Sequence, residues 1–450
     1  MFDTVLVEGL RDGRLTMSNE RLTKAIKVFI GVGVLGLLFG GGIAYLIHAR
    51  SFIGDYDHYA RMGRGVVQGF NPYDVDDVRY RWPPSMPVIF APLAFFDGIN
   101  DAATRVGYLF LTYLAFFDAL RILIRRIYGK PLSLWPMAGR VSITMPSIAL
   151  AIIVLSRFIT ETAKIMQVTF ILLWLAVRAT DYLERRKEAR AAFFIGLSAA
   201  IKLTPAIWIG YAAFRGRWKA AVLSLLVIAF FFVLPFAVVG PERTHEYYDS
   251  WLAPGKLLSP IPTRAHNVSA FAMFDRWIGH GLWPWADVQI DGPLFASGKP
   301  AVMVVTAGFL LILGCAWIYY AGNPFQDDGR GTSIADRASR IVEEGLVMNL
   351  SLYASPLTWK HYYASQIYLL TGLFALWAAS APGRKRNIVT GLIVAGALLQ
   401  SGLLPGLLEE TLERQSIITL GSLCYFVAGL IFLKRKRVDA PASAAQPVLE

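Results

Sequence analysis

Residues 218–239 read WKAAVLSLLVIAFFFVLPFAVV, and this run is long and apolar enough to form a helix that crosses a bilayer. Other runs of about 16 to 24 apolar residues recur along the chain, close to the length that a crossing helix needs. Hydrophobic residues make up 55% of the 450 residues and charged residues 17%, whereas ordinary soluble domains contain roughly 25% charged residues. This composition excludes a disordered chain and most soluble folds, and it predicts an all-α polytopic membrane protein.

Eleven apolar runs are candidates for crossing helices. They lie near 26–48, 101–123, 141–156, 165–180, 191–213, 218–239, 301–321, 344–357, 362–380, 387–405 and 415–433. The two cysteines, Cys315 and Cys424, both lie inside such runs, so the sequence supports neither a disulfide framework nor a cysteine metal site.

The basic segments decide how many of these runs cross the membrane. Four of them are 121–130, 178–190, 384–386 and 434–437. Because lysine and arginine collect in cytoplasmic loops, all four should lie on the same side as the N-terminus, and eleven crossings cannot satisfy this. The run 191–213 carries Lys202 and Pro205 at its centre, where a lysine costs about 2.5–3.5 kcal/mol and a proline breaks a helix. We therefore predict about ten transmembrane helices plus a re-entrant or broken helix at 191–213, and both termini in the cytoplasm.

The chain then divides into three parts. Residues 1–25 are predicted to be a cytoplasmic segment without a cleaved signal, 26–433 a single transmembrane domain, and 434–450 a cytoplasmic tail. Two long external loops, 49–100 and 240–300, place any chemistry on the external face. The net charge of +12 reflects orientation in the membrane rather than nucleic-acid binding, and the basic cytoplasmic loops favour a bacterial inner membrane.

The first external loop begins with an amphipathic helix. Residues 53–69, IGDYDHYARMGRGVVQG, place apolar and aromatic residues at helical spacing and end on a glycine. We expect this helix to lie on the membrane surface. Asp55 stands at its start, where a carboxylate could simply cap the exposed amides, and Asp57 follows on a different side of the helix. After a turn at 71–74, the segment Tyr80-Arg81-Trp82-Pro83-Pro84 leads into an apolar stretch at 85–96 that is too short to cross.

These residues resemble a known enzyme family. The leading motif of glycosyltransferase family 87, the polyprenyl-phosphate-mannose-dependent mannosyltransferases of the GT-C superfamily, is similar to Asp55-Tyr56, Tyr59, Gly69, Pro72-Tyr73, Trp82-Pro83-Pro84 and Ala91-Pro92-Leu93. Three later segments also resemble the family: Gly196 through Lys202 to Pro205, Asn267-Val268-Ser269, and Ser355 through Trp359 and Lys360 to His361. The chain departs from the family at Trp82, where tyrosine is usual, and at 165–169, where only Gln167 remains of a Gly-Gln-x-Asn motif.

The resemblance implies a GT-C-like bundle that transfers a sugar, mannose in the family, from a polyprenyl-phosphate donor to a hydroxyl of a lipid or glycan acceptor. Such a transfer needs a carboxylate to take the hydroxyl proton and cations to stabilise the departing phosphate. One carboxylate is enough for an inverting transfer, since phosphate leaves without being protonated. By resemblance, the family places its acidic residue in this loop, so Asp55 is the predicted base and Asp57 its competitor.

Polar and aromatic residues are the candidates for binding the donor phosphate and the sugar: Lys202, His361, Lys360, Arg81, Arg276, Asn267, Tyr59, Tyr73 and Trp82. Some of them have a structural alternative. Lys202 could snorkel or bind a backbone carbonyl, and His361 could be a buried structural residue. No metal or other cofactor is expected. The expected partners are the donor, the acceptor and membrane lipids, and not nucleic acid.

Two other functions fit part of the pattern. A secondary transporter would suit the broken helix and Lys202, but it predicts inverted repeats and charged pairs within the spans, and the sequence shows neither. A polysaccharide ligase or polymerase would also use lipid-linked sugars, but its mechanism would not centre on Asp55.

Overall fold

The structure is a computed structural model that describes residues 54–74, 82–129, 145–253, 267–279, 300–322, 333–401 and 416–433. These residues are built from α-helices, and the fold class is confirmed as all-α. In chain order the helices are α1 (Asp55–Gln68), α2 (Ser85–Ile99), α3 (Asp101–Tyr128), α4 (Met145–Lys164), α5 (Thr169–Glu184), α6 (Glu188–Ile201), α7 (Ile207–Phe214), α8 (Trp218–Val238), α9 (Pro241–Leu252), α10 (Ala270–Phe274), α11 (Pro300–Ala321), α12 (Ile334–Ala354), α13 (Ile367–Ala379), α14 (Arg384–Gln400) and α15 (Ile417–Phe432).

The predicted interruption of the run 191–213 is present and lies at Lys202. Helix α6 ends at Ile201, Lys202 is extended with φ −151° and ψ 133°, and a short 3-10 turn at Thr204–Ala206 leads into α7. Pro205 has no N–H to continue the helix, and its ring would clash with the carbonyl four residues before it. Ser85 on α2 compensates for the break, because its hydroxyl donates to the Ala200 carbonyl at 2.7 Å.

The two halves of this broken helix return the chain to the end of the bundle from which it started. Lys219, at the start of α8, lines one pocket with Arg186 and Arg190, at the start of α6. Gly196, eight residues into α6, lies against Ser224 and Val227 at a similar height on α8. The two helices therefore run parallel, which requires the segment between them to turn back, as a re-entrant hairpin does.

Three helices of the described chain are long and apolar enough to cross a membrane: α3, α8 and Ala301–Ala321 of α11. The protein thus has the apolar helices of a membrane protein. The predicted first span at 26–48 lies outside the described residues, and the count of ten crossings stays a prediction. The short apolar stretch at 85–96 forms α2, which packs against α1; Gly63 of α1 lies so close to Phe90 that a side chain there would overlap its backbone.

Helix α12 begins at Ile334, ten residues before the apolar run predicted at 344–357. Its first half is polar because it carries buried ion pairs to neighbouring helices. Glu344 accepts two hydrogen bonds of 2.7 Å from Arg126 on α3, and both side chains are only 3% exposed. Glu343 pairs with Arg215 after α7. These charged pairs lie at the ends of predicted spans, where the sequence pattern did not suggest them.

Candidate active site

The helix predicted at 53–69 is confirmed as α1, and its first residue enters a polar cluster. The backbone N–H of Asp55 donates to the Ile165 carbonyl at 3.0 Å, which fixes the start of α1 against the turn between α4 and α5. Gly54 packs on the same turn, since a β-carbon there would lie 3.1 Å from that carbonyl oxygen. The residue at the N-cap is Gly54, so Asp55 is not the cap that the sequence allowed it to be.

Gln167 connects Asp55 to the rest of the cluster. Its amide nitrogen donates to Asp55 Oδ2 and lies 3.2 Å from His361 Nε2. Its amide oxygen accepts from the Tyr59 hydroxyl and, at 2.8 Å, from the Val168 N–H. Both amide hydrogens and the oxygen therefore have partners, so the side chain, only 2% exposed, is held in one orientation.

His361 lies on the inner side of this cluster. Its backbone carbonyl accepts a hydrogen bond of 2.9 Å from the Thr162 hydroxyl, which ties the 3-10 segment Lys360–Gln366 to α4. Burial, together with the nearby charges of Lys202 and Lys360, lowers the pKa of His361 well below its usual range. A neutral imidazole matches its role as acceptor from Gln167, so His361 does not add positive charge to the cluster.

Lys202 is the basic residue of the cluster. Its Nζ lies 3.4 Å from the centre of the Tyr362 ring, the distance of a cation–π contact. Burial disfavours its ammonium form, and the negative charge of Asp55 favours it. Asp55, Lys202 and Tyr362 are partly exposed, whereas Tyr59, Gln167 and His361 are buried. We call these six residues the Asp55 cluster. Its accessible side carries the Asp55 carboxylate and the Lys202 side chain. Its buried side consists of residues that hydrogen bonds hold in place.

Asp57 faces a different set of partners. Its carboxylate accepts from the Gly54 N–H at 3.1 Å, which caps α1, and forms an ion pair with Arg105 on α3 at 2.5 Å. The Arg105 guanidinium also lies 4.5 Å from the Tyr56 ring centre. The two aspartates of α1 therefore differ in their environment. Asp57 contacts an arginine side chain and the backbone, whereas Asp55 contacts Gln167.

Asn267 and Arg276 brace the segment that carries His361. Asn267 is fully buried; its side chain donates to the Pro356 carbonyl at 3.2 Å and accepts from the Thr358 N–H at 3.1 Å. Arg276 donates to the Asn267 carbonyl at 3.0 Å and to the Ser416 hydroxyl. Both residues thus contact backbone and neighbouring side chains behind the Asp55 cluster, although the sequence pattern made them candidates for binding substrate.

The remaining predicted site residues lie around the cluster or outside the described chain. Tyr73 is buried against Tyr247, and its hydroxyl donates to the Trp82 carbonyl at 3.0 Å. Trp82 is half-buried with its ring centre 5.3 Å from that of Tyr59, next to the cluster. Lys360 Nζ lies 3.6 Å from Glu161 on α4. Arg81 lies outside the described residues.

Gln167 was not among the residues predicted for the site. The signal was the remnant of the Gly-Gln-x-Asn motif at 165–169. Met166 occupies the glycine position of that motif and has a left-handed φ of 55°, a conformation that glycine adopts without strain. Across the residues that the structure describes, His, Cys, Asp and Glu side chains form no group of three that could hold a metal ion.

Comparison with known proteins assigns the chain to a family. The sequence model of glycosyltransferase family 87 matches residues 80–329, which is more than half of the chain. The protein belongs to this family. A similar protein is the polyprenol-phosphate-mannose-dependent alpha-(1-2)-phosphatidylinositol pentamannoside mannosyltransferase of Mycobacterium tuberculosis (strain CDC 1551 / Oshkosh), which is 24% identical over 196 residues. The alignment covers 44% of this family 87 glycosyltransferase and only 37% of that relative.

Proposed function

We propose that this family 87 protein transfers a mannosyl group from a polyprenyl-phosphate donor to a hydroxyl of a lipid or glycan acceptor, with Asp55 as the general base. The observation that carries the proposal is the Asp55 cluster, in which a carboxylate and a basic side chain whose charges interact are both partly exposed. The mycobacterial relative depends on polyprenol-phosphate-mannose, which supports the same donor for this protein. That relative acts on a phosphatidylinositol mannoside, so a mannosylated lipid is the first acceptor to test.

The reaction fits the charges of the cluster. The acceptor oxygen attacks the anomeric carbon and gives its proton to Asp55 Oδ1 or Oδ2. The bond from the anomeric carbon to the phosphate oxygen breaks, and the electron pair leaves with the polyprenyl phosphate. Lys202 stabilises the negative charge that grows on the phosphate. Attack and departure on opposite faces of the sugar invert the anomeric carbon.

The buried residues of the cluster hold these two groups in position. Gln167 fixes the Asp55 carboxylate by donating to one of its oxygens, and neutral His361 accepts from the other amide hydrogen. Tyr362 gives the Lys202 ammonium an aromatic face to rest on. A preorganised carboxylate and cation avoid the cost of reorienting polar groups during the reaction. We place this reaction on the external face of a bacterial inner membrane, following the predicted topology.

A reconstitution assay tests the proposal. The full chain in proteoliposomes receives labelled polyprenyl-phosphate mannose and a bacterial lipid extract that contains phosphatidylinositol mannosides, and labelled glycolipid is measured. We expect Asp55→Asn to reduce the rate by about 10²–10⁴-fold, the range typical of a general base. Lys202→Gln should reduce it by about 10²–10³-fold, as for other electrostatic groups.

Asp57→Asn is the matched control, since it removes the same charge from the same helix. We expect it to keep most of the activity and to lower thermal stability, because it loses the Arg105 ion pair, while the asparagine oxygen can still accept from the Gly54 N–H. If folded Asp55→Asn protein transfers mannose at the wild-type rate, Asp55 is not the base. If wild-type protein transfers no sugar from any prenyl-phosphate donor, the proposed donor class is wrong.

A further inference from the structure

A basic pocket opens at the opposite end of α6 from the Asp55 cluster. It has a volume of about 340 Å³, and its lining comes from the turn before α6, the first residues of α6 and the start of α8: Arg186, Lys187, Glu188, Ala189, Arg190 and Lys219. Lys202 follows the last residue of α6, so the pocket lies about 20 Å from the cluster at 1.5 Å per residue. The proposed transfer reaction uses none of these residues.

The charge of this basic pocket suits a phosphate group. Four of its side chains are cationic and one is a carboxylate. Two helices begin here, and their N-cap residues are Lys187 for α6 and Arg217 for α8. Neither side chain has an acceptor for the exposed N–H groups of its helix. The positive ends of two parallel helix dipoles therefore add to the excess of basic side chains.

The surface next to the pocket distinguishes a lipid from a soluble anion. Helix α8 is the most apolar candidate span, with a mean hydropathy of 2.8 and only 17% of that span buried. Immediately beyond Lys219, Val222, Leu225 and Leu226 are each more than half exposed, and so is Trp218 just before it. An aromatic ring and basic residues beside an exposed apolar strip are typical of the level of lipid head groups. A ligand that fills both regions has an anionic head and hydrocarbon chains.

We propose that the basic pocket binds the phosphate head group of an anionic phospholipid, whose acyl chains lie along the exposed face of α8. The turn before α6 is suited to this role because it is fixed by its own backbone: the Arg186 N–H donates to the Leu183 carbonyl at 3.1 Å and the Lys187 N–H to the Tyr182 carbonyl at 2.9 Å. Arg190 also rests on the Tyr182 ring, 5.8 Å from its centre. The bound lipid would hold together the two ends of the re-entrant hairpin.

Lipid titration of the purified full chain tests this site. The protein in neutral detergent is titrated with dioleoylphosphatidylglycerol or with dioleoylphosphatidylcholine, and bound lipid is counted by native mass spectrometry while the unfolding temperature is recorded. Phosphatidylglycerol should bind and raise the unfolding temperature, and phosphatidylcholine should not. The triple variant Lys187→Gln, Arg190→Gln and Lys219→Gln should bind phosphatidylglycerol with an affinity lower by on the order of 100-fold.

A second triple variant controls for the loss of charge alone. Arg384→Gln, Lys385→Gln and Arg386→Gln remove the same charge from another basic segment at the start of α14 and should retain the wild-type affinity. Equal losses in the two triple variants would overturn the proposal, as would binding of both lipids alike. Stabilisation by millimolar inorganic phosphate that matches the effect of the lipid would instead assign the pocket to a soluble anion. If the first triple variant does not fold, the single variant Lys219→Glu gives the same comparison.

Discussion

Gln167 should control the protonation of Asp55, and replacing it with glutamate tests this directly. Gln167→Glu keeps the shape of the side chain and both acceptor contacts, to the Tyr59 hydroxyl and the Val168 N–H. It puts a carboxylate where an amide now donates to Asp55. Two carboxylates in direct contact hold one proton between them over a wide pH range.

The expected magnitude follows from this pairing. Proton sharing raises one pKa of a carboxylate pair by about 1–3 units. The acidic limb of the pH–rate profile should therefore move to higher pH by that amount. Activity should be lowest at the acidic end of the range and recover as pH rises, because the shared proton is then lost. By contrast, Gln167→Leu removes the donors and the acceptor, and it should lower the rate about 100-fold at every pH, the cost of a displaced catalytic group. It should also destabilise the fold by about 1–3 kcal/mol for each buried polar group left unpaired.

The assay is mannosyl transfer in proteoliposomes from pH 5 to pH 9, in which Gln366→Glu serves as the matched control. Gln366 is also fully buried and hydrogen-bonded, to Ser422 and Gln400, but it lies outside the Asp55 cluster. Its replacement is expected to lower the stability of the protein but to leave the acidic limb of the pH–rate profile in place. An unshifted profile for folded Gln167→Glu protein, with a rate near that of wild type, would refute the contact between Gln167 and the base.

Two further predictions concern the scaffold. Gly196→Ala should destabilise the protein by about 1–3 kcal/mol, because the new β-carbon would lie 2.5 Å from Val227; Gly210→Ala, which has open space around it, should not lower the unfolding temperature. Glu344→Ala should cost about 3–5 kcal/mol, since it removes the partner that binds Arg126 with two hydrogen bonds in a buried site. Arg121→Gln, which removes a guanidinium that is 49% exposed, should cost less than about 1 kcal/mol in the same thermal unfolding measurement.

The helices could be predicted because their signals are local. The apolar run at 218–239 and the helix at 53–69 match α8 and α1 within two residues at each end, since apolar length and a terminal glycine act within the segment itself. The break at Lys202 was also predictable, because a lysine and a proline in an apolar run are each costly. Helix α12 was not, because its first half is stabilised by Arg126 and Arg215, which are distant in the sequence.

The site was predictable only in part, because residue type does not give side-chain direction. Asp55 and Asp57 are separated by about 200° around α1, so the sequence shows that they face different ways but not which of them meets the cluster. Asn267 and Arg276 looked like binding groups, but their polar atoms contact the backbone that supports His361. Gln167 belongs to the site because it contacts Asp55 and His361, which are both more than 100 residues away in the sequence. A local sequence pattern does not reveal such contacts.

The interruption at Lys202 links the fold to the proposed chemistry. An uninterrupted helix over 191–213 would cross the bundle and carry a lysine in the middle of an apolar run. The break instead leaves Lys202 in an extended conformation at the tip of the hairpin, where its ammonium reaches Tyr362 and the charge of Asp55. Ser85 satisfies the Ala200 carbonyl that the helix would otherwise have used. The same local break therefore returns the chain to its starting end and places the basic side chain of Lys202 in the Asp55 cluster.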